Sequence, residues 1–336
     1  MPQLSLEHRP GAHCGSTALR DLSTYYDWGF DEPACFGLGE GLGFSYLELP
    51  VSPYRAIFGR TGWLERVFFE NLGIGHEIHE GQAFDVAWDS ITSEIDAGDP
   101  VMIFTDLYYL DYYETDTHFA PHSLLVVGYD EDVVHLADSE FAEIQRLPLD
   151  RLANALTSEH VVPLQCRYLT IEDPTVTTPF PEAAELAIAE TATYMLDPAE
   201  SRRGSKYFTS QGVGEIERFA AALPEWHDLD EAAWTIRFAY QNIERRGTGG
   251  GAFRRLYADF LDQAADAGVA PEDASTEMAE IADEWTAASE LLYEAGETDD
   301  EAALRDRLAG ASERVEALAD RERHLYESLS GAVGKK

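Results

Sequence analysis

The sequence predicts an α+β domain followed by an all-α domain. Helical periodicity alternates with short apolar strands as far as residue 173. A segment rich in proline and threonine then occupies residues 174–181, and helical periodicity continues almost to the C-terminus. We therefore expect a first domain over residues 1–173, a linker over 174–181 and a helical domain over 182–336.

The first domain is predicted to begin with helices and to end with an antiparallel hairpin. Apolar spacing indicates three helices, Cys14–Asp27, Arg60–Leu72 and Ala83–Ala97. Short apolar runs indicate three strands, Val101–Phe104, Ser123–Tyr129 and Val133–Asp138. Because only Asp130, Glu131 and Asp132 separate the last two strands, we expect them to pair as a hairpin.

The second domain shows only helical patterns. The periodic segments are Glu182–Leu196, Gly214–Ala222, Glu231–Arg246, Phe253–Ala267, Ser275–Ala295 and Asp300–Ser330. No strand pattern interrupts them, so an all-α domain is expected.

Charge is the most marked feature of the composition. The 336 residues include 63 acidic and 24 basic side chains, a formal net charge of −39. The acidic residues are spread along the chain, which favours a halophilic protein of a high-salt cytoplasm over an acidic patch for a basic partner, since molar salt screens such repulsion. The same charge argues against nucleic-acid binding. The N-terminal residues lack the apolar segment of a signal peptide and no stretch is apolar enough to cross a membrane, so we expect a cytoplasmic protein that does not contact membranes.

Three cysteines occur, Cys14, Cys35 and Cys166. An odd number in a cytoplasmic chain argues against a disulfide framework, and the absence of a CxxC pattern argues against structural zinc. We expect neither a metal ion nor an organic cofactor.

Cys14 is the candidate nucleophile. It follows Pro10-Gly11-Ala12 at the start of a predicted helix, where the partial positive charge of the helix N-terminus favours the thiolate. The small residues after it leave backbone N–H groups open to an oxyanion, so His13, Cys14 and Gly15 are expected to line that part of the cleft. The alternative is a buried structural cysteine.

His122 is the candidate base and Asp138 its orienting carboxylate. His122 opens the second predicted strand and Asp138 ends the third, so the hairpin would bring them together. His118 and His135 are competing candidates for the base. Asp138 could instead cap the segment that starts at Ser139.

Two further segments are candidates for substrate binding. An aromatic loop carries Tyr108, Tyr109, Tyr112 and Tyr113 and leads to His118, and it could form a substrate wall or simply pack on the surface. A glycine-rich run includes Gly39, Glu40 and Gly41 and is expected to line the cleft near Cys14. Its spacing, and its position after a predicted helix, argue against a dinucleotide site.

Several motifs together resemble the butirosin biosynthesis protein H N-terminal family. The similar segments are His13-Cys14-Gly15-Ser16-Thr17-Ala18-Leu19-Arg20, the run from Glu32 to Phe44, His118–His122 leading into Val126–Asp130, and the hairpin that ends at Asp138. The second half is similar to the helical domain that often follows this family, on Ile243–Gly251, Phe253, Arg254, Tyr257, Phe260 and Leu261. The resemblance spans most of the chain, in the expected order.

The resemblance implies a papain-like cysteine protease fold, related to bacteriocin-processing peptidases. The founding member of the family is an acyltransferase that moves an aminoacyl group from a carrier-protein thioester to an amine on an aminoglycoside. An acyl carrier protein and a small-molecule amine acceptor are therefore the expected partners. The alternatives are a peptidase or amidase with the same triad, and a non-catalytic binding module that kept the fold.

One position departs from the papain-like pattern. Such enzymes often place a glutamine before the nucleophile to bind the oxyanion, but His8 stands there in this chain. The nearest glutamine is Gln3. The side-chain half of the oxyanion hole is therefore not assigned by the sequence.

Overall fold

The structure is a computed structural model that describes residues 3–203 and 211–333. The helices are α1 (Cys14–Tyr25), α2 (Glu32–Leu38), α3 (Leu64–Leu72), α4 (Phe84–Ala97), α5 (Leu149–Thr157), α6 (Phe180–Leu196), α7 (Val213–Ala222), α8 (Ala232–Glu244), α9 (Arg254–Asp266), α10 (Ala274–Glu297) and α11 (Glu301–Val333). The strands are β1 (Leu42–Glu48), β2 (Arg55–Arg60), β3 (Gly75–His79), β4 (Val101–Thr105), β5 (His122–Tyr129), β6 (Val133–Ala137), β7 (Gln145–Pro148) and β8 (Tyr168–Asp173).

The chain forms two compact units that do not follow the predicted domain boundaries throughout. One unit, the sheet unit, contains Met1–Cys35 and Phe68–Thr178, and the other, the helical unit, contains Phe36–Val67 and Pro179–Lys336. Residues 36–67, expected in the first domain, therefore belong with the helices. The physical reason is aromatic packing, since Phe44 of β1 is fully buried and stacks on Trp285 of α10 at 5.4 Å.

The sheet unit is built on six strands in the order β3-β8-β4-β5-β6-β7, with antiparallel neighbours throughout. Helix α1 lies against β5, and α4 and α5 also pack on the sheet. The interior strands are buried on both faces, and β5 is buried at every position except its last. The predicted α+β class, followed by a helical region from Phe180 onward, is confirmed.

The predicted hairpin of β5 and β6 is also confirmed. The two strands pair antiparallel with Leu125 opposite Ala137. Asp138 follows β6 directly, and His122 is the first residue of β5. This register therefore brings the two residues together at the same end of the hairpin.

The region around the glycine-rich run differs from the prediction. Gly37 lies in α2 and Gly43 in β1, and the helix predicted from Arg60 begins only at Leu64 because Arg55–Arg60 forms β2. The glycines allow close packing within the helical unit, since a Cβ on Gly37 would lie 2.0 Å from the ring of Phe260.

None of the eleven helices that the structure describes has a segment both long and apolar enough to cross a bilayer.

Candidate active site

Cys14 is the first residue of α1, and the residue before it caps the helix. His13 has an extended backbone with φ −138° and ψ 135°, and its Nδ1 accepts a hydrogen bond from the Ser16 N–H at 3.3 Å. The predicted start of a helix at Cys14 is therefore confirmed. The thiol lies where the helix N-terminus favours negative charge.

A buried carboxylate holds the loop that leads into α1. Glu32, the first residue of α2, accepts hydrogen bonds from the N–H groups of Ala12 and His13, both at 2.9 Å, and from the hydroxyls of Ser16 and Thr17 at 3.1 and 3.0 Å. Gly11 permits this approach, because a Cβ there would lie 2.6 Å from Glu32 Oε2. The loop is thus fixed by groups on its inner side, and the position of the nucleophile is fixed with it.

The environment of the half-buried Cys14 thiol favours its ionised form. Burial by itself would raise the thiol pKa, but the imidazoles of His13 and His122, both in contact with the sulfur, lower the pKa well below its ordinary value. The pKa of His122 is in turn raised well above its ordinary value. Burial lowers the pKa of His122, but the interactions of the imidazole with Asp138 and, to a smaller extent, with Cys14 raise it. These two shifts favour a thiolate on Cys14 and an imidazolium on His122.

Asp138 orients the base. His122 Nε2 lies 3.0 Å from Asp138 Oδ2, so Nδ1 is the nitrogen left to face the sulfur. The Asp138 side chain is fully buried, which would raise its pKa, yet the charge of His122 and the hydroxyls of Tyr113 and Tyr112 hold that pKa below its ordinary value. Asp138 is therefore a permanent anion at neutral pH and stabilises the imidazolium.

Two tyrosines of the aromatic loop turn their hydroxyls to Asp138. Tyr113 donates to Oδ1 at 2.8 Å and Tyr112 donates to Oδ2 at 2.9 Å. The Tyr113 oxygen also lies 3.3 Å from His122 Nε2. The sequence left open whether both form a substrate wall or pack on the surface, and substrate binding stays a prediction. The structure shows that their hydroxyls bond the Asp138 carboxylate.

The two competing histidines are bonded elsewhere. His118 Nδ1 lies 2.7 Å from Asp106 Oδ2, and its ring stacks on Tyr108 with centroids 4.1 Å apart. His135 Nε2 lies 2.9 Å from Arg146 Nη1 and 3.3 Å from Asp130 Oδ2. Of the three candidate histidines, His122 is the one that affects the pKa of Cys14, and its role as the base stays a prediction.

Tyr108 and Tyr109, the other tyrosines of the aromatic loop, have different surroundings. Tyr108 borders a shallow polar depression. Its charged lining residues are Asp111, Glu114, Asp116 and Arg151. The guanidinium of Arg151 also lies over the ring of Tyr109, 5.3 Å from its centroid. Substrate binding by Tyr108, Tyr109 and His118 stays a prediction.

Gly39, Glu40 and Gly41 belong to the helical unit, between α2 and β1. The Glu40 carboxylate is buried and accepts a hydrogen bond from Arg203 Nε at 2.8 Å. Their predicted part in substrate binding likewise stays a prediction.

His8, which stands in place of the expected glutamine, has both ring nitrogens engaged. Nδ1 lies 2.5 Å from Asp21 Oδ2, and Nε2 lies 2.8 Å from the Phe141 carbonyl oxygen and 3.2 Å from that of Asp138. All these neighbours are acceptors, so both nitrogens carry protons. Burial lowers the pKa of His8, but the hydrogen bond and charge of Asp21 raise it above its ordinary value. His8 therefore ties α1 to the segment after β6 and has no N–H left for an oxyanion.

The backbone offers two donors beside the sulfur. In the part of the chain that the structure describes, the N–H groups of Cys14 and Gly15 donate to no protein acceptor. Both point out of the first turn of α1, where the sequence predicted an oxyanion site.

The sheet unit also has one group of potential metal ligands among the described residues. Ligand atoms of Glu77, His79 and Glu172 lie within 4.8 Å of one another on β3 and β8. Thr170 Oγ1 already lies 3.1 Å from His79 Nε2. This group is formed by residues other than those around Cys14, and the chemistry of the thiol does not involve it.

Sequence reasoning missed the role of Glu32 and gave the tyrosine pair a different one. A buried Glu at a helix start is a weak signal, because such residues usually act on their own helix. The hydroxyl contacts of Tyr112 and Tyr113 depend on two consecutive 3₁₀ turns, Leu107–Tyr109 and Asp111–Tyr113, which no periodicity indicates.

Comparison with known families assigns both halves of the chain. Residues 13–139 match the family described as Butirosin biosynthesis protein H, N-terminal, and residues 150–329 match the family described as Domain of unknown function (DUF4872). The chain belongs to the DUF4872 family, behind an N-terminal region of the butirosin biosynthesis protein H family. The predicted family is thereby confirmed.

The butirosin biosynthesis protein H match ends one residue after Asp138 and therefore contains Cys14, His122 and Asp138. This region is that of a papain-like cysteine enzyme. The DUF4872 match begins in α5 and includes β8, so it reaches into the six-stranded sheet as well as covering the helices.

Among solved structures, the chain is similar to one described as a C39-like peptidase from Bacillus anthracis. The identity is 16%, the match covers 51% of this chain and 90% of that one, and the TM-score is 0.33. A search of curated proteins found no match.

Proposed function

We propose that the protein is a cysteine-dependent acyltransferase. Cys14 would take an acyl or aminoacyl group from a thioester, carried by an acyl carrier protein, and pass it to an amine on a small molecule. The proposal is carried by the His122 imidazole, which bonds the buried Asp138 at 3.0 Å while the pKa of Cys14 is lowered and that of His122 is raised. The match to butirosin biosynthesis protein H supports transfer to an amine over hydrolysis.

The first half-reaction forms an acyl-enzyme. The Cys14 thiolate attacks the thioester carbonyl carbon, and the N–H groups of Cys14 and Gly15 donate to the oxyanion that develops. The intermediate collapses by expelling the donor thiolate, which takes a proton from the His122 imidazolium. The products are acyl-Cys14, a free donor thiol and neutral His122.

The second half-reaction releases the group as an amide. Neutral His122 accepts a proton from the amine as its nitrogen attacks acyl-Cys14. Collapse then expels the Cys14 thiolate beside the newly charged imidazolium. The resting ion pair is restored, and Asp138 holds the imidazole in one orientation throughout.

Trapping of the acyl-enzyme tests the proposal. The protein is incubated with an acyl thioester of N-acetylcysteamine, a small stand-in for the carrier-bound donor, and the mass of each cysteine peptide is measured. We expect acylation of Cys14, none in Cys14→Ala, and wild-type acylation in the matched control Cys166→Ala. A primary amine should then discharge the acyl group as an amide faster than water does.

Two results would contradict the proposal in different ways. Discharge at the same rate with and without amines, with only the free acid as product, would make the protein a hydrolase. Failure of Cys14 to acylate at all would favour a non-catalytic binding module.

A further inference from the structure

A second imidazole lies beside the nucleophile, in addition to that of His122. His13 Nε2 is 3.8 Å from the Cys14 sulfur. The residue is 3% exposed, and its backbone is held at both ends, with its N–H donating to Glu32 Oε1 and its carbonyl accepting from the Thr17 N–H at 2.9 Å. The ring is therefore fixed in place and cannot swing freely toward solvent.

The hydrogen bonds of His13 determine where its ring proton lies. Nδ1 accepts from the Ser16 backbone N–H, and a backbone N–H can only donate. Nδ1 therefore carries a lone pair, and the proton of the neutral ring is on Nε2, the nitrogen that faces the sulfur. The cap of α1 thus selects the tautomer that points a donor at the reacting atoms.

A donor in this place is within reach of the oxyanion. During acyl transfer the carbonyl oxygen lies two covalent bonds from the sulfur, so a rigid N–H that contacts the sulfur can also reach that oxygen at hydrogen-bond distance. His8, in the position of the usual glutamine, already donates to Asp21 and to carbonyl oxygens. The side-chain donor must then come from elsewhere, and His13 Nε2–H is beside the nucleophile.

We propose that His13 supplies the side-chain half of the oxyanion hole through Nε2–H, alongside the backbone N–H groups of Cys14 and Gly15. His13 is on this view a catalytic residue as well as a helix cap. The proposal rests on the proposed acyl-transfer chemistry and adds to it the residue that replaces the usual glutamine.

Two substitutions separate the cap from the donor. The amide oxygen of Asn in His13→Asn can replace Nδ1 and keep the cap of α1, but its side chain is too short to replace Nε2–H. The amide N–H of Gln in His13→Gln can replace Nε2–H, but Gln is a poorer cap. Thermal unfolding of both variants shows which of them keeps the wild-type stability.

Two reactions of Cys14 separate oxyanion binding from thiolate formation. Acylation by 4-nitrophenyl acetate passes through an oxyanion, whereas alkylation by iodoacetamide does not, and both require the thiolate. The ratio of the two rates therefore measures oxyanion stabilisation alone. We expect His13→Asn to lower this ratio by about 100-fold or more, the usual effect of removing one oxyanion donor, and His13→Gln to keep most of it.

An unchanged ratio in folded His13→Asn would overturn the inference and leave His13 as a cap only. A ratio lost equally in folded forms of both variants would overturn it as well. If wild-type Cys14 reacts with iodoacetamide but is never acylated, it is the acyl-transfer function that fails, so the two failures are distinguishable.

Discussion

Each unit of the molecule contains a buried network of charged side chains, and the two networks end differently. In the helical unit, Arg254 and Glu322 are both fully buried and form a two-pronged ion pair at 3.0 and 2.9 Å. Trp285 Nε1 and the Tyr326 hydroxyl complete the coordination of the carboxylate at 2.7 and 3.1 Å. The guanidinium also donates to the carbonyl oxygens of Ala252 and Gly43.

In the sheet unit, the network also contains a buried carboxylate, but it ends at a residue that is partly exposed. The Asp138 carboxylate is fully buried and is bonded by three side chains, as Glu322 is. His122, the partner of Asp138, also interacts with Cys14, a residue that is only partly buried. This network therefore ends at a nucleophilic residue that is partly exposed.

The difference shows how to recognise a functional charge network among structural ones. Burial, ion pairing and shifted pKa values occur in both networks, so none of these alone marks an active site. A closed network can only stabilise the fold. A network that ends in a partly exposed nucleophile keeps that group ionised and available.

The largest expected effect is on the acylation rate of Cys14, when His122, the cation of the network in the sheet unit, is removed. Replacing His122 with Ala should slow acylation of Cys14 by about 10⁴-fold or more, as removal of a member of such a unit does. His118→Ala is the matched control, and it should acylate near the wild-type rate because His118 is bonded to Asp106. Stopped-flow acylation with 4-nitrophenyl acetate measures both, and an equal loss in the two variants would mean that the base is misassigned.

Breaking the closed network should change stability instead of chemistry. Glu322→Gln leaves the buried Arg254 charge without its counter-ion, which should lower the free energy of unfolding by about 3–5 kcal/mol. The exposed pair of Arg321 and Glu277 provides the control, since Arg321→Gln should cost about 1 kcal/mol or less. Chemical denaturation gives both values. Slower alkylation of Cys14 in the folded Glu322→Gln protein would contradict the distinction between the networks.

A smaller effect is expected from the tyrosines that bond Asp138. Removing the Tyr113 hydroxyl in Tyr113→Phe takes a hydrogen bond from a buried anion, which should slow acylation by about tenfold. Tyr112→Phe should have a weaker effect, because only Tyr113 also lies beside His122 Nε2.

The same variants should change the pH dependence in a defined direction. The Asp138 pKa is held below its ordinary value by His122, Tyr113 and Tyr112 against the effect of burial. Its contribution to stability is thus present above the unfolded-state pKa and is lost as pH falls through the folded-state pKa. Loss of a hydroxyl raises the folded-state pKa, so the acid limb of the acylation profile should move to higher pH. An unmoved acid limb in the double Phe variant would show that the hydroxyls do not act on Asp138.

The sequence was sufficient for the parts of the site that depend on local signals. The helix that starts at Cys14 and the hairpin followed by Asp138 are recognisable from spacing, and His122 lies beside Asp138 as that hairpin predicts. The catalytic roles of Cys14, His122 and Asp138 stay a proposal. Choosing His122 over His118 and His135 required the register of β5 and β6, which the short turn at residues 130–132 already indicates.

The remaining parts depend on contacts between distant segments. Glu32 reaches the loop before Cys14 from another helix, and His8 pairs with Asp21 across the start of α1, so no local pattern predicts either. The packing of Gly37 against Phe260, far along the chain, leaves no trace in the spacing of the glycine-rich run. For the same reason the domain boundaries were wrong for residues 36–67.

The central claim is that only one of the three cysteines is a thiolate at neutral pH. Burial, with Asp31 and Glu32 nearby, raises the pKa of Cys35 well above its ordinary value, and burial also raises that of Cys166. The pKa of Cys14 lies well below the ordinary value. The three sulfurs should therefore differ most in their reaction with a thiolate-specific reagent.

The most direct test is the rate of iodoacetamide alkylation of each cysteine in the native protein, followed by mass spectrometry as a function of pH. We expect Cys14 to react far faster than Cys35 and Cys166, and its rate to stay nearly constant as pH falls below the ordinary thiol pKa. Equal rates at the three cysteines, or a Cys14 rate that falls with pH as an ordinary thiol does, would contradict it.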